Sequence, residues 1–150
     1  MKTLFISLML LLGSTAVFAI TPPDVNEKVL KAFHETFKNP ENVAWHEYDY
    51  YYEVSFKQDE IKTRVRYDEQ GNMIGTTRYY TEKELQPHIV SKIRSKYPKR
   101  SIYGVTEIFS EENNIEYYIT LQDEKHWYTV KANAMGDLQQ TEKFRKAPAE

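Results

Sequence analysis

Residues 50–80, YYYEVSFKQDEIKTRVRYDEQGNMIGTTRYY, hold three strand patterns and the turn that folds them together. Tyr52, Val54 and Phe56 alternate with polar residues across 50–57. Across 60–67, Ile61, Val65 and Tyr67 share one side, while Lys62, Arg64 and Arg66 share the other. A period of two is what a strand with one buried face requires. Asp68-Glu69-Gln70-Gly71 has the residue types of a hairpin turn and leads into a third run over 72–80. Neighbouring strands joined by short turns make an antiparallel meander.

The flanks change period. Upstream, Val25, Val29, Phe33 and Phe37 recur every four residues with Lys28, Lys31, Glu35 and Lys38 turned outward, an amphipathic helix. Pro23 suits its first position, Asn39-Pro40 stops it, and 43–47 reads as one more strand. Downstream, Thr81-Glu82-Lys83-Glu84 resembles a capping box, but Pro87 marks the better helix start. Ile89, Ile93 and Tyr97 form its stripe and Pro98 ends it. Strand patterns follow at 102–109, 115–121, 126–132 and 137–144, with the turn Asn133-Ala134-Met135-Gly136 before the last.

The halves align by hand. Val29, Phe33 and Phe37 match Ile89, Ile93 and Tyr97 at an offset of sixty; Asp68 and Gly71 match Asn133 and Gly136 at sixty-five. The polar loop Ser110-Glu111-Glu112-Asn113-Asn114 absorbs the difference. The expected fold is therefore α+β: two tandem repeats of a helix plus a four-stranded antiparallel meander, with the sheets side by side and the helices on one face. Repeat one spans about 23–80 and repeat two about 81–144, in one domain over 20–146, with 147–150 a flexible tail.

The first nineteen residues read as a signal peptide. Lys2 supplies the basic end, Leu4 to Leu12 the apolar run, and Val17-Phe18-Ala19 the small residues before a cleavage site. The run is about half the ~20 residues a membrane-spanning helix needs. Export is thus expected, to a periplasm or beyond the cell, with no stable membrane insertion after cleavage. The chain has no cysteine, so disulfides, thiolate metal sites and a thiol nucleophile are excluded. Without Lys2 the chain carries 19 basic and 22 acidic residues, a net −3 that disfavours nucleic acid as a partner.

The order of motifs resembles a known family. An aromatic and a proline close the helix; Asn42-Val43-Ala44-Trp45, Tyr52-Glu53-Val54-Ser55-Phe56 and Tyr67-Asp68-Glu69-Gln70-Gly71-Asn72 follow. Tyr97-Pro98, Glu116-Tyr117-Tyr118-Ile119 and Asn133-Ala134-Met135-Gly136-Asp137 keep that order in the second half. This resembles the PepSY-like proteins related to the β-lactamase-inhibitor (BLIP-like) fold, over roughly residues 25–144. The resemblance implies an exported protein whose sheets curve together with helices on the convex side. It also implies protein or peptide binding on the exposed sheet face. The second turn departs by starting with Asn133 rather than an acid, and no residue pattern marks this chain as a β-lactamase inhibitor specifically.

No catalytic constellation is recognisable, and no cofactor or metal is expected. His34, His46, His88 and His126 lack ligand spacing, the five glycines form no phosphate loop, and no serine sits in a nucleophile elbow. Asp59-Glu60, Asp68-Glu69 and Glu111-Glu112 all fall in turns or loops. What the alternation supplies instead is a face. If Val54, Val65, Ile119 and Val130 point at the helices, then Tyr51, Glu53, Ser55, Lys62, Arg64, Arg66, Tyr118, Thr120, Trp127, Thr129 and Lys131 point away. Tyr, Trp and Arg are the residues that dominate binding hot spots, though such rings also pair across exposed strands. The candidate partner site is Tyr51, Lys62, Arg64, Arg66, Tyr118, Trp127 and Lys131. A protein or peptide of the cell envelope is the expected partner, and inhibition or support of an envelope enzyme the expected role. A glycan or peptidoglycan fragment stacked on Tyr51, Tyr118 or Trp127 is the alternative. Trp45 either joins Val43 in the core row or covers a sheet edge.

Overall fold

The computed structural model describes residues 24–110 and 114–147. The expected signal peptide, Pro23, part of the polar loop over 110–114 and the end of the tail lie outside them. Helix α1 (Glu27–Thr36) precedes strands β1 (Glu41–Tyr48), β2 (Tyr51–Gln58), β3 (Ile61–Tyr67) and β4 (Met73–Tyr80). A single 3-10 turn, Glu82–Glu84, leads to α2 (Pro87–Lys96) and strands β5 (Ser101–Ser110), β6 (Ile115–Gln122), β7 (His126–Asn133) and β8 (Leu138–Arg145).

The eight strands form one antiparallel sheet in sequence order. This overturns the expectation of two helix-plus-four-strand repeats with sheets lying side by side. There is no division at the midpoint, because β4 and β5 pair from Gly75↔Ser110 to Tyr80↔Val105. Two separate meanders would leave inner edges with unpaired backbone groups, and pairing β4 to β5 removes both edges. Opposite charges also meet at the seam, where Arg78 Nη1 lies 3.0 Å from Glu107 Oε1. Tyr80 adds a 2.6 Å hydrogen bond from its hydroxyl to Glu107 Oε2. Burial first, and Glu107 second, push the Tyr80 phenol far above its ordinary value.

Both helices cover the same face. Val29 and Phe33 of α1 pack with Val54, Phe56, Val65 and Tyr67; Ile89 and Ile93 of α2 pack with residues including Val105, Ile119, Leu121 and Val130. Register carries that face across the sheet, since Val54 opposes Val65, Val105 opposes Ile119, and Ile119 opposes Val130. Trp45 sits half-buried on edge strand β1, its ring edge-on to Phe33 at 5.3 Å, so it joins the core row of an edge strand.

Local chemistry sets the helix ends. Helix α1 starts at Glu27, later than the Pro23 reading, because Asn26 Oδ1 accepts from the Lys28 amide at 2.9 Å. The same Asn26 donates to the Glu69 carbonyl, tying the helix to the β3–β4 turn. Helix α2 starts at Pro87, and Glu84 is instead engaged by the Thr81 hydroxyl within the 3-10 turn. In the β3–β4 turn Asp68 accepts from the amides of Gln70 and Asn72 and from the Asn72 side chain. In the β7–β8 turn the roles are exchanged: Asn133 accepts from the Asp137 amide and donates to the Asp137 carboxylate. The change of residue at Asn133 therefore preserves the turn.

Candidate partner-binding face

The face opposite the helices is built by register, row upon row. One row runs Lys57, Lys62, Tyr79, Thr106, Tyr118, Lys131, Gln139; its neighbour runs Ala44, Ser55, Arg64, Thr77, Ile108, Glu116, Asn133. The continuous sheet thus sets Lys62, Tyr118 and Lys131 on one line across both halves. Arg64 and Arg66 occupy the next two rows. Tyr51 and Trp127 lie at opposite corners, roughly 40 Å apart by strand spacing and rise.

Each predicted site residue has a distinct setting. Arg64 Nε is 3.2 Å from Glu53 Oε1, with about half of the arginine side chain exposed. Lys62 is exposed and Arg66 half-exposed, and neither has an ion-pair partner among the described residues. The Arg66 guanidinium lies over Gly75, where an added Cβ would come within 3.2 Å of Nη2. Lys131 Nζ pairs with Glu116 Oε1 at 2.7 Å and sits 5.6 Å above the Tyr118 ring, whose hydroxyl also donates to Glu116. The hydrogen bond from Lys131, aided by that from Tyr118, holds the Glu116 carboxyl below its ordinary range; Glu116 in turn raises Lys131.

Tyr51, Tyr118 and Trp127, expected as exposed rings, are each half-buried. Tyr51 stacks on Tyr48 at 4.5 Å. Trp127 has Lys146 Nζ 4.5 Å over its ring, Tyr103 edge-on at 4.7 Å, and Phe144 as its cross-strand neighbour. The more exposed aromatics are others: Tyr48, Tyr50, Tyr79, Tyr103 and Phe144. Tyr79 was legible, since it alternates with inward Tyr80. Tyr103 was not, because a register shift between Ile102 and Gly104 turns it onto Trp127.

A depression of about 270 Å³ opens between Asn42, Ser55, Lys57, Lys62, Arg64 and Tyr79. Among the described residues no group of three or more His, Cys, Asp or Glu could hold a metal ion, and no helix is long and apolar enough to cross a membrane.

No protein-family model matches the chain, and no curated protein does. Solved structures do. A DUF2874 family protein from Bacteroides ovatus ATCC 8483 superposes with a TM-score of 0.60 at 19% identity, covering 83% of this chain and 88% of its own. A BLIP-like protein from Bacteroides fragilis NCTC 9343 gives 0.59 at 16% identity, covering 87% of this chain and 91% of its own. A candidate periplasmic protein from Bacteroides eggerthii DSM 20697 gives 0.59 at 16% identity, with 83% and 89% covered. At these identities the likeness establishes a BLIP-like fold.

Proposed function

We propose that this chain is an exported, non-enzymatic protein- or peptide-binding module whose working surface is the open face of the sheet. The observation that carries the reading is the layout of that face. Basic and aromatic side chains extend from Tyr48 and Tyr51 at one corner, through Lys62, Arg64, Arg66, Tyr79, Tyr118 and Lys131, to Tyr103, Trp127 and Phe144 at the other. A span of roughly 40 Å suits an extended macromolecular partner, whereas a small ligand would touch one corner of it. Among the described residues the helices pack on the other face and none covers this one. Export is supported by the signal-like first nineteen residues and by structural likeness to a candidate periplasmic protein. The PepSY-like resemblance, carried by motif order, fits the same role; acting on an envelope enzyme, as inhibitor or accessory factor, would be its natural form.

The test is quantitative capture of an envelope partner by the exported protein and by its variants. Arg64→Ala, Tyr103→Ala and Trp127→Ala should each weaken capture by more than about 1 kcal/mol, the level separating hot spots from bystanders. Lys31→Ala and Ser95→Ala, on exposed helix positions, should leave it unchanged. Normal capture by all three sheet variants, with loss in the helix variants, would move the site to the helix face.

A further inference from the structure

The cations of the open face are not evenly spread. Lys62, Arg64 and Arg66 stand on a single strand, and on one side of them charge is largely paired: Glu53 on β2 holds Arg64, Lys57 beside Lys62 holds Glu60, and Glu41 lies beyond Lys57 on β1. On their other side β4 and β5 present Gly75, Thr77, Tyr79, Thr106, Ile108 and Ser110, all uncharged. Beyond that strip the next charges, Glu116 and Lys131, neutralise each other. Among the described residues a neutral lane two strands wide, roughly 10 Å, thus runs beside three cations, two of them without an ion-pair partner there.

We infer that this lane takes an extended acidic segment of a protein partner, lying along β4 and β5 with its carboxylates turned to Lys62, Arg64 and Arg66. The inference deepens the proposed function and rests on it. Charge and spacing both select this occupant. Alternate residues of a strand repeat at about 6.6 Å, so the cations stand at the interval of acidic side chains on one face of an extended peptide. Glu53 pairs with Arg64 at Nε, and about half of the arginine side chain stays exposed, so its guanidinium can still meet a partner carboxylate. Buried Gly75 has no side chain, which lets Arg66 lie flat against the lane instead of reaching into solvent. Thr77, Thr106 and Ser110 offer hydroxyls to peptide groups, while the lane holds Tyr79 as its sole aromatic ring, a poor platform for stacked bases.

The experiment is a fluorescence-anisotropy titration of the exported protein with a labelled peptide alternating Glu and Thr, at about 150 mM salt, where long-range charge effects are screened. The comparison probes are a peptide of the same composition with its glutamates in one block, and an oligothymidylate. Saturable binding of the alternating peptide is expected, tighter than the block peptide or the oligonucleotide. Lys62→Glu and Arg66→Glu should each weaken it about tenfold, with unchanged urea midpoints, while Lys38→Glu at the end of α1 leaves it intact. Absence of saturable binding overturns the inference. Equal binding of all three polyanions also overturns it, because charge without register would then suffice. Capture of the envelope partner separates the two levels. If Tyr103→Ala loses that partner while Lys62→Glu and Arg66→Glu keep it, the acidic segment is wrong and the open face stands. If all three keep it, the open face itself is wrong.

Discussion

Around α1 six residues are buried, Val29, Phe33, Val54, Phe56, Val65 and Tyr67, and ring packs on ring: Phe33 lies within 5.5 Å of Phe37, Phe56 and Trp45. Around α2 eleven residues are buried, most of them aliphatic, and each buried tyrosine has a polar partner. Tyr80 donates to Glu107, Tyr117 accepts from Gln86, and Tyr128 donates to Asp123. In the first core, by contrast, the Tyr67 hydroxyl is buried without a hydrogen-bond partner among the described residues, and burial pushes its phenol up to about 12. The half that carries Lys62, Arg64 and Arg66 on the open face thus rests on the thinner core, dependent on a few large rings. The other half is the better-satisfied anchor.

Truncation should expose that difference most strongly. Phe33→Ala removes a ring at the centre of the first cluster and should cost about 3–5 kcal/mol; Ile93→Ala, among more numerous aliphatic neighbours, about 2–4 kcal/mol. Urea unfolding of the two variants gives the order. A smaller loss for Phe33→Ala would mean that the first core does not hang on its ring stack.

The turn glycines should separate next. Gly71 and Gly136 both have positive φ, +87° and +79°. A Cβ at Gly71 would lie 2.9 Å from the Lys28 carbonyl oxygen, backbone that cannot yield without moving α1. At Gly136 it would meet the Lys92 and His88 side chains, at 3.1 and 3.2 Å, which can swing away. Gly71→Ala should therefore cost about 2–3 kcal/mol and Gly136→Ala about 1–2 kcal/mol, the latter being mostly the left-handed backbone term. Equal losses in thermal or urea unfolding would show that the β3–β4 turn does not bear on the helix.

Hydroxyl deletion sharpens the contrast further. Tyr80→Phe strips Glu107 of a hydrogen bond at the seam and should cost about 1–2 kcal/mol. Tyr67→Phe removes an unpartnered buried hydroxyl and should be neutral or stabilising by up to about 1 kcal/mol. A destabilised Tyr67→Phe would indicate a partner for that hydroxyl.

The smallest effect is on acid stability. Although partial desolvation works the other way, hydrogen bonds from Asn72, Gln70 and Gly71 hold the Asp68 carboxyl below its ordinary value. A depressed folded-state value means the ionised form stabilises the fold fully above the unfolded carboxyl range and stops doing so as pH falls through the folded value. Asn133, at the corresponding place in the other turn, is a neutral amide. Asp68→Asn should thus lose a little stability at neutral pH and flatten the acid limb of the stability–pH curve. An unchanged acid limb would show that Asp68 does not contribute to it.

Much of this was readable in the chain, for physical reasons. Strict alternation over 50–57 and 126–132 located strands, and the stripes through Val29 and Phe33, and through Ile89 and Ile93, named the helix residues that are buried. Pairing between distant strands leaves a fainter trace. Arg78 and Glu107, opposite charges set among inward-pointing residues, were the signal that β4 meets β5, and neither side chain reveals its partner alone. Tyr103 escaped because a bulge breaks the period on which the open face was read. The open-face residues themselves followed from alternation; their packing did not, since the covering of Trp127 by Lys146 depends on where the chain goes after β8.

The central claim, that the open sheet face meets the partner, is tested most directly by photo-crosslinking in the cell that makes the protein. A photoreactive residue placed at Tyr79 or Tyr118 should give a discrete adduct with one partner, and the same residue at Lys31 or Ser95 should give none. A discrete adduct from the helix positions, with none from Tyr79 or Tyr118, would contradict the account.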